Sequence, residues 1–296
     1  MPTESALGAA VRLTLAMEAG AALAAHIRVD AEGLDVNPEV RSLLEAIATE
    51  LADDADHIGA AGPPIVGMVR AFIRQSSELI DNPGRIGDWD EVDEAVLQGL
   101  GRLSMAIVGA FKVAAESLPG LGDRLSQPGG KFLDVGTGTG WLAIATARAF
   151  PAVHVTGIDI FEPALKLARG NVATEAMTHR VELEVKDALH LDGGETYDAI
   201  WLPLPFMPKA IVPGAIAAAA TALRPGGWLL PGTFAGPGDR LSNLLVDLRT
   251  VRSGGHPWKS SQLIDLLTAH GLLEAHEVPR TWAAPVRLFA GQMRSQ

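Results

Sequence analysis

Apolar residues in the first 120 positions recur every three or four residues, which is the spacing of one helix face. Leu7, Val11 and Leu15 form the first such stripe. Asn37 followed by Pro38 indicates a helix start, since Asn caps well and Pro fits the first turn. The predicted helices cover residues 7–19, 37–51, 65–79 and 92–118. This part of the chain therefore predicts an all-α region without strands.

The pattern changes after residue 130, where short apolar runs alternate with helical segments. Strands are predicted at 131–135, 153–160, 181–185, 197–202, 228–230, 273–278 and 286–292. Helices are predicted at 141–150, 163–173, 215–223 and 260–270. Alternation of this kind is typical of an α/β fold with a doubly wound, mostly parallel sheet. The last two strands have no helix between them, which predicts an antiparallel terminal strand.

Charge separates the same two regions. The chain has 296 residues and a formal net charge of −11, and residues 1–120 contain 19 acidic against 8 basic side chains. Residues 121–296 are balanced, with 16 of each. We predict a helical cap or substrate domain at 1–120 and a catalytic domain at 121–296. An acidic cap disfavours nucleic acid, which needs clustered Lys and Arg.

Other compositional features narrow the class of protein. There is no cysteine, which excludes disulfides, thiolate metal sites and a cysteine nucleophile. No apolar run approaches the ~20 residues of a membrane span, since the longest, Ile211–Leu223, is broken by Pro213-Gly214. The N-terminus lacks the basic segment of a signal peptide. We expect a cytoplasmic protein with no membrane partner.

The strongest local motif runs from Asp134 to Gly140, directly between a predicted strand and a predicted helix. Its glycines permit a tight turn and a close approach to a ligand, and the helix start favours an anionic group. The spacing is G-x-G-x-G with a preceding acid. It departs from the dinucleotide fingerprint, whose third glycine position is Trp141 here, and from the P-loop, which needs Gly-Lys-Ser/Thr.

Two further acids lie at or just after the ends of predicted strands. Asp159 ends the second strand, where a carboxylate can accept hydrogen bonds from both hydroxyls of a ribose. Asp187 follows the third strand and could face an adenine amino group. The carboxyl ends of parallel strands converge on one crevice, so these acids and the glycine loop are expected to share a ligand.

Together these motifs resemble those of the class I S-adenosylmethionine-dependent methyltransferases, over about 130–295. Tyr197–Ile200 is similar to the family's fourth-strand motif, and Leu223–Gly227 to the turn before its fifth strand. The resemblance implies a Rossmann-like seven-stranded sheet, S-adenosylmethionine as cofactor and a helical N-terminal cap. The implied cofactor-binding residues are Asp134, Gly136, Thr137, Gly138, Gly140, Asp159, Ile160, Asp187, Ala188 and Leu202.

The segment after the fourth strand bears on the acceptor. Relatives that methylate a base or amide nitrogen often have Asn or Asp before two prolines and an aromatic residue, whereas Leu202–Pro208 is apolar. An apolar small molecule, methylated at oxygen, is therefore expected. The predicted substrate pocket comprises Trp89, Arg102, Met105, Pro203, Phe206 and Met207. His256 and His190 are candidate bases, and no spacing demands a metal.

Two alternatives stay open. An NAD(P)-dependent oxidoreductase would also use Asp159, but the chain's only tyrosine, Tyr197, has Trp201 rather than lysine four residues later. A cofactor-binding module without turnover would retain the fold and lack a base. The sequence does not decide the oligomeric state, and a homodimer is compatible with it.

Overall fold

A computed structural model describes residues 5–52, 62–87, 94–191 and 194–295, which form two compact units. The first unit lies within residues 1–84 and 93–103 and contains α1 (Ala6–Glu32), α2 (Pro38–Leu51), α3 (Gly62–Asp81) and most of α4 (Glu94–Ser104). The Asn37 side chain accepts hydrogen bonds from the backbone N–H groups of Glu39 and Val40, which confirms the predicted helix start. Gly67 and Gly99 let α3 and α4 cross closely, since a Cβ on Gly67 would lie 3.1 Å from the Gly99 Cα.

The second unit lies within residues 85–92 and 104–296 and contains the sheet. Its strands are β1 (Gly130–Val135), β2 (Val153–Asp159), β3 (Val181–Val185), β4 (Tyr197–Pro203), β5 (Leu223–Phe234), β6 (Leu273–Glu277) and β7 (Val286–Gln292). Its helices are α5 (Val108–Ser117), α6 (Leu121–Ser126), α7 (Trp141–Ala149), α8 (Glu162–Thr174), α9 (Val212–Ala222), α10 (Arg240–Arg252) and α11 (Ser260–Ala269).

The strand order is β3-β2-β1-β4-β5-β7-β6. Pairings among the first five strands are parallel, whereas β7 lies antiparallel between β5 and β6. The predicted doubly wound sheet with an antiparallel terminal strand is confirmed. The order reverses at β1 and β4, so the carboxyl ends of these strands border the crevice in which such sheets bind ligands.

Apolar cores cover both faces of the sheet. One contains Phe111 of α5, whose ring lies 5.1 Å from Phe132 and 5.3 Å from Trp201. The other joins β4 and β5 to α9 and α11. The second unit includes the chain from Ser104 onward, so it begins before the predicted boundary at residue 120. Phe111 lies in this stretch and is fully buried against the sheet. The functional division at 120 stays a prediction.

Several elements differ from the sequence prediction. Helix α10 was not predicted, although Asp239 caps it by accepting a hydrogen bond from the Ser242 backbone N–H at 3.0 Å. The predicted helix 92–118 is interrupted by a 3-10 turn at Met105–Ile107, and β5 is longer than the predicted 228–230.

Two helical segments, Ala6–Glu32 and Glu94–Ser117, are long and apolar enough to cross a membrane by length and composition alone. The expectation that no segment approaches such a length is wrong by this criterion. The prediction counted uninterrupted apolar runs, whereas the mean hydropathy of both helical segments is high although polar residues interrupt them.

Candidate functional site

The loop between β1 and α7 is shaped by three glycines with positive φ, namely Gly136, Gly138 and Gly140, at 66°, 54° and 78°. A Cβ on Gly136 would lie 3.1 Å from the Pro203 ring, and one on Gly140 would lie 3.1 Å from the Ala168 Cβ. A Cβ on Gly138 would have no atom within 4 Å. Gly136 and Gly140 therefore allow close packing, whereas Gly138 borders open space that a ligand can occupy.

Thr137 faces the protein interior rather than this space. Its hydroxyl donates to Asp134 Oδ2 at 2.7 Å, and its backbone N–H donates to the Ile158 carbonyl at 2.9 Å. Gly157 of β2 makes room for it, because a Cβ there would lie 2.7 Å from the Thr137 hydroxyl. The structure thus places Thr137 as a support of the loop, and its direct contact with a cofactor stays a prediction.

Asp134 is a buried acid directly beneath the loop, with 1% of its surface exposed. Its Oδ1 atom is buried and has no hydrogen-bond partner among the described residues. Burial raises the pKa of this carboxyl from 3.8 to about 7, and the neighbouring Asp159 adds to the rise. The Thr137 hydroxyl and the Ala143 backbone N–H partly offset it. Burial therefore favours the protonated form of this carboxyl more than it would in an exposed aspartate.

Asp159 holds the loop from the end of β2. Its Oδ2 accepts a hydrogen bond from the Gly138 backbone N–H at 2.8 Å, and its Oδ1 accepts one from Phe161 at 2.9 Å. Burial raises the pKa of Asp159, while these backbone N–H groups lower it. The carboxylate thus lies beside the open space at Gly138, at the position from which it can accept hydrogen bonds from ligand hydroxyls.

The end of β3 supplies a more exposed acid. The Asp187 side chain accepts a hydrogen bond from the Leu189 backbone N–H at 2.9 Å and begins a short 3-10 helix. Ala188 is buried, whereas Ile160 is 73% exposed. His190 is also exposed, and its Nδ1 lies 3.8 Å from Asp187 Oδ2. The predicted role of His190 as a base stays a prediction.

The end of β4 forms an apolar wall. Leu202 is fully buried in the core, and Pro203 pairs with Gly232 of β5 and packs on Gly136 of the glycine loop. Phe206 follows in a 3-10 turn and meets Phe234 edge to face at 5.6 Å. Met207 packs on the core beneath. The apolar wall therefore extends from Pro203, at the glycine loop, to the paired rings of Phe206 and Phe234.

His256 lies in a loop that packs against this wall. A Cβ on Gly255 would be 2.3 Å from the Pro205 carbonyl oxygen, so only glycine permits the approach. The His256 ring meets Trp258 edge to face at 4.8 Å. Burial and the charge of Lys209 lower the pKa of His256, which favours the neutral imidazole at pH 7.

The remaining predicted pocket residues are Trp89, Arg102 and Met105. Trp89 lies outside the described residues. Arg102 belongs to the helical unit, while Met105 belongs to the sheet unit and packs against its apolar core. The roles assigned to all three stay predictions.

Other residues near the wall were missed by the sequence analysis. Phe234 ends β5, and the guanidinium of Arg249 on α10 lies 5.9 Å from its ring centre. Phe234 could have been found as an aromatic residue at a strand end. Arg249 belongs to α10, which was not predicted although Asp239 supplies a start signal for it.

The sheet unit has the fold of the class I methyltransferases. The chain superposes on an O-methyltransferase family protein from Burkholderia thailandensis with a TM-score of 0.67 and 16% identity, covering 99% of both chains. It superposes equally well on human N-acetylserotonin methyltransferase in complex with SAM, with 17% identity and 100% of both chains covered. At these identities the likeness establishes the fold.

Residues 132–227 match the family model described as "Methyltransferase domain". A release factor glutamine methyltransferase from Rhodopirellula baltica is 34% identical over 97 residues, covering 32% of this chain and 33% of the relative. A tRNA1(Val) (adenine(37)-N6)-methyltransferase from Vibrio campbellii is 36% identical over 73 residues, covering 25% and 30%. The chain thus spans about a third of the length of these two curated relatives.

Proposed function

We propose that the protein transfers a methyl group from S-adenosylmethionine to an apolar small molecule, at oxygen. The observation that carries this proposal is the Asp159 carboxylate bonded to the Gly138 N–H beside open space. Space for a ligand at Gly138 and an acid for ribose hydroxyls fit a cofactor that contains a ribose. The methyltransferase domain match supports the same cofactor.

Methyl transfer from this cofactor would require few dedicated catalytic side chains. When bound, S-adenosylmethionine supplies an activated methyl group on its sulfonium sulfur. The chain's own task is to orient an acceptor and exclude water. Gly138 and Asp159 would hold the nucleoside, with Asp187 on the adenine side. The wall formed by Pro203 and Phe206 would position the acceptor.

An apolar acceptor is supported by the end of β4. The described segment Leu202–Pro208 contains no Asn or Asp that could hold a planar amino group. The names of the two curated relatives give a release factor glutamine and N6 of a tRNA adenine as their targets, but the aligned segments cover at most a third of each chain. The structural neighbours include the mitomycin 7-O-methyltransferase MmcR, with 21% identity and a TM-score of 0.61. Its name gives oxygen as its methylated atom.

Calorimetric titration tests the cofactor directly. We expect saturable binding of S-adenosylmethionine and no binding of NAD. Binding of NAD with no response to S-adenosylmethionine would favour the oxidoreductase alternative. Binding of S-adenosylmethionine without product from a panel of phenols and alcohols would instead favour the module without turnover.

His256 is our candidate for the base that removes the acceptor's hydroxyl proton. It lies in the loop against the β4 wall, and its lowered pKa keeps the imidazole neutral at pH 7. We expect His256→Ala to reduce kcat about 100-fold, in the range usual for general bases. The matched control is His190→Ala, at an exposed imidazole, which should change kcat less than about twofold.

The measurement is the formation of S-adenosylhomocysteine with the best acceptor of the panel, between pH 5 and 8. With S-adenosylmethionine at saturation, the wild-type rate should fall as pH drops through the lowered pKa of His256, which lies below the ordinary histidine value of about 6.5. His256→Ala should lose this acidic limb. An unchanged pH profile in His256→Ala would show that the imidazole is not the base.

We also propose a homodimer and a cytoplasmic location. Leu7, Val11 and Leu15 lie on one face of α1 and are 76%, 54% and 60% exposed, which supports a protein partner for that face. Analytical ultracentrifugation measures the mass in solution, and a mass of one chain would contradict the dimer. Recovery in the membrane fraction would contradict the location.

A further inference from the structure

The turn that ends α10 leads directly into the loop of His256. Its backbone N–H groups donate to carbonyls of the helix at 2.9–3.0 Å, from Ser253, Gly254 and Gly255 to Arg249, Val251 and Thr250 respectively. These three bonds tie the turn to the last residues of α10. Closely packed protein transmits strain rather than absorbing it, so a push on one end of this bonded turn displaces the other end.

Two other segments of the sheet unit contact this turn through backbone atoms. A Cβ on Gly87 would lie 2.7 Å from the Arg252 carbonyl oxygen. A Cβ on Gly255 would lie 2.3 Å from the Pro205 carbonyl oxygen and 2.9 Å from that of Leu204. Backbone atoms cannot rotate away as the end of a flexible side chain can. Both contacts therefore depend on glycine, which lets two backbones approach closely.

The residues next to these contacts are those assigned to the acceptor. Pro205 lies in the 3-10 turn that carries Phe206 of the apolar wall. Gly255 is followed directly by His256, whose carbonyl accepts the Trp258 backbone N–H at 2.9 Å. Backbone contacts thus run from Gly87 through the turn to the wall. A shift of the turn would move His256 relative to the wall that would position the acceptor.

We propose that Gly87 is a positioning residue for methyl transfer: it fixes the turn after α10, and the turn fixes His256. This inference rests on the proposed function. An alanine at position 87 has to displace the Arg252 backbone, because real Cβ atoms essentially never approach other atoms within 3.0 Å. A misplacement of about 1 Å, caused far from the chemistry, can cost about 100-fold in rate. The hydrogen bonds of Asp159 run to Gly138 and Phe161 rather than to the turn, so cofactor binding should be spared.

Methyl transfer and titration calorimetry on the full chain test this assignment. We expect Gly87→Ala to lower kcat about tenfold with the best acceptor, since the displacement is smaller than 1 Å. Its affinity for S-adenosylmethionine should stay within about twofold of wild type. The matched control is Gly84→Ala, three positions earlier, where a Cβ would have no atom within 4 Å. This variant should retain kcat within about twofold. An unchanged kcat in Gly87→Ala, or an equal loss of cofactor affinity, would overturn the inference.

A double-mutant cycle distinguishes positioning of His256 from a merely structural role. Residues that act through one another have non-additive effects, so adding Gly87→Ala to His256→Ala should lower kcat by less than about twofold. A further tenfold loss in that background would overturn the inference.

A second variant keeps the test decisive if Gly87→Ala does not fold. Gly254→Ala strains the same turn from within, because Gly254 has a φ of 85°. It should show the same loss of kcat, the same retained cofactor affinity and the same cycle with His256→Ala. Additive effects of Gly254→Ala and His256→Ala would contradict the inference. If wild type forms no S-adenosylhomocysteine with any acceptor, the proposed function has failed, and this inference fails with it.

Discussion

Replacing Asp159 with alanine is expected to weaken S-adenosylmethionine binding at least about 100-fold. The variant would lose two sets of hydrogen bonds. One set runs from the ribose hydroxyls to the carboxylate, and the other runs from the backbone N–H groups of Gly138 and Phe161. Hydrogen bonds to a charged group contribute roughly 1.5–3 kcal/mol each, so losing two of them accounts for this factor. Titration calorimetry at pH 7.5 measures it.

The control is a nearby acid that faces solvent. Glu162 begins α8 three residues later, where its carboxylate pairs with Arg169 at 2.6 Å and is 55% exposed. Glu162→Gln should leave the affinity within about twofold, since an exposed pair contributes little. Thermal unfolding of both variants separates loss of binding from loss of fold. A folded Asp159→Ala protein with near wild-type affinity would remove the observation on which the proposed function rests.

Replacing Asp198 with alanine should cost about 3–5 kcal/mol in the free energy of unfolding. This carboxylate is 4% exposed and lies 3.2 Å from the Arg124 guanidinium and 2.6 Å from that of Arg224. It also accepts the Lys131 backbone N–H at 2.9 Å. Removing one partner of a buried ion pair leaves the others uncompensated. Both arginines are about one third exposed, so water screens part of their repulsion and favours the lower end of the range.

Urea unfolding monitored by fluorescence measures this loss. Glu175, which pairs with Arg148 at a more exposed position, offers the comparison, and Glu175→Gln should cost less than about 1 kcal/mol. Asp198 is at the amino end of β4, away from the glycine loop, so the folded fraction of Asp198→Ala should bind cofactor normally. A cost below about 1 kcal/mol would show that the two arginines find other partners.

Much of the sheet unit could be predicted because its information is local. The glycine loop combines residues that are adjacent in the chain, and strand β7 matches its predicted bounds, 286–292. Helix α10 was missed even though its capping residue, Asp239, follows a glycine-rich turn. The sequence contains that start signal, but the predicted alternation of strands and helices has no helix at this place.

The parts that could not be predicted depend on residues far apart in the chain. Asp198 meets Arg124 across 74 positions, and only the fold shows that both belong to one cluster. Nothing in the sequence indicates a role for Gly157. The Thr137 hydroxyl, which supports the glycine loop, fits beside Gly157 only because this residue has no side chain. The base cannot be assigned from sequence for the same reason, since exposure distinguishes His190 from His256.

The buried carboxyl of Asp134 has a further consequence, for the lifetime of the protein in the cell. Its pKa is raised from 3.8 to about 7, so the folded chain holds this proton more tightly than the unfolded chain. The free energy of unfolding of the empty protein therefore falls as pH rises from about 4 to 7. A ligand that binds only the folded chain adds stability by mass action. Molecules without a bound ligand should therefore unfold and be degraded sooner than loaded ones.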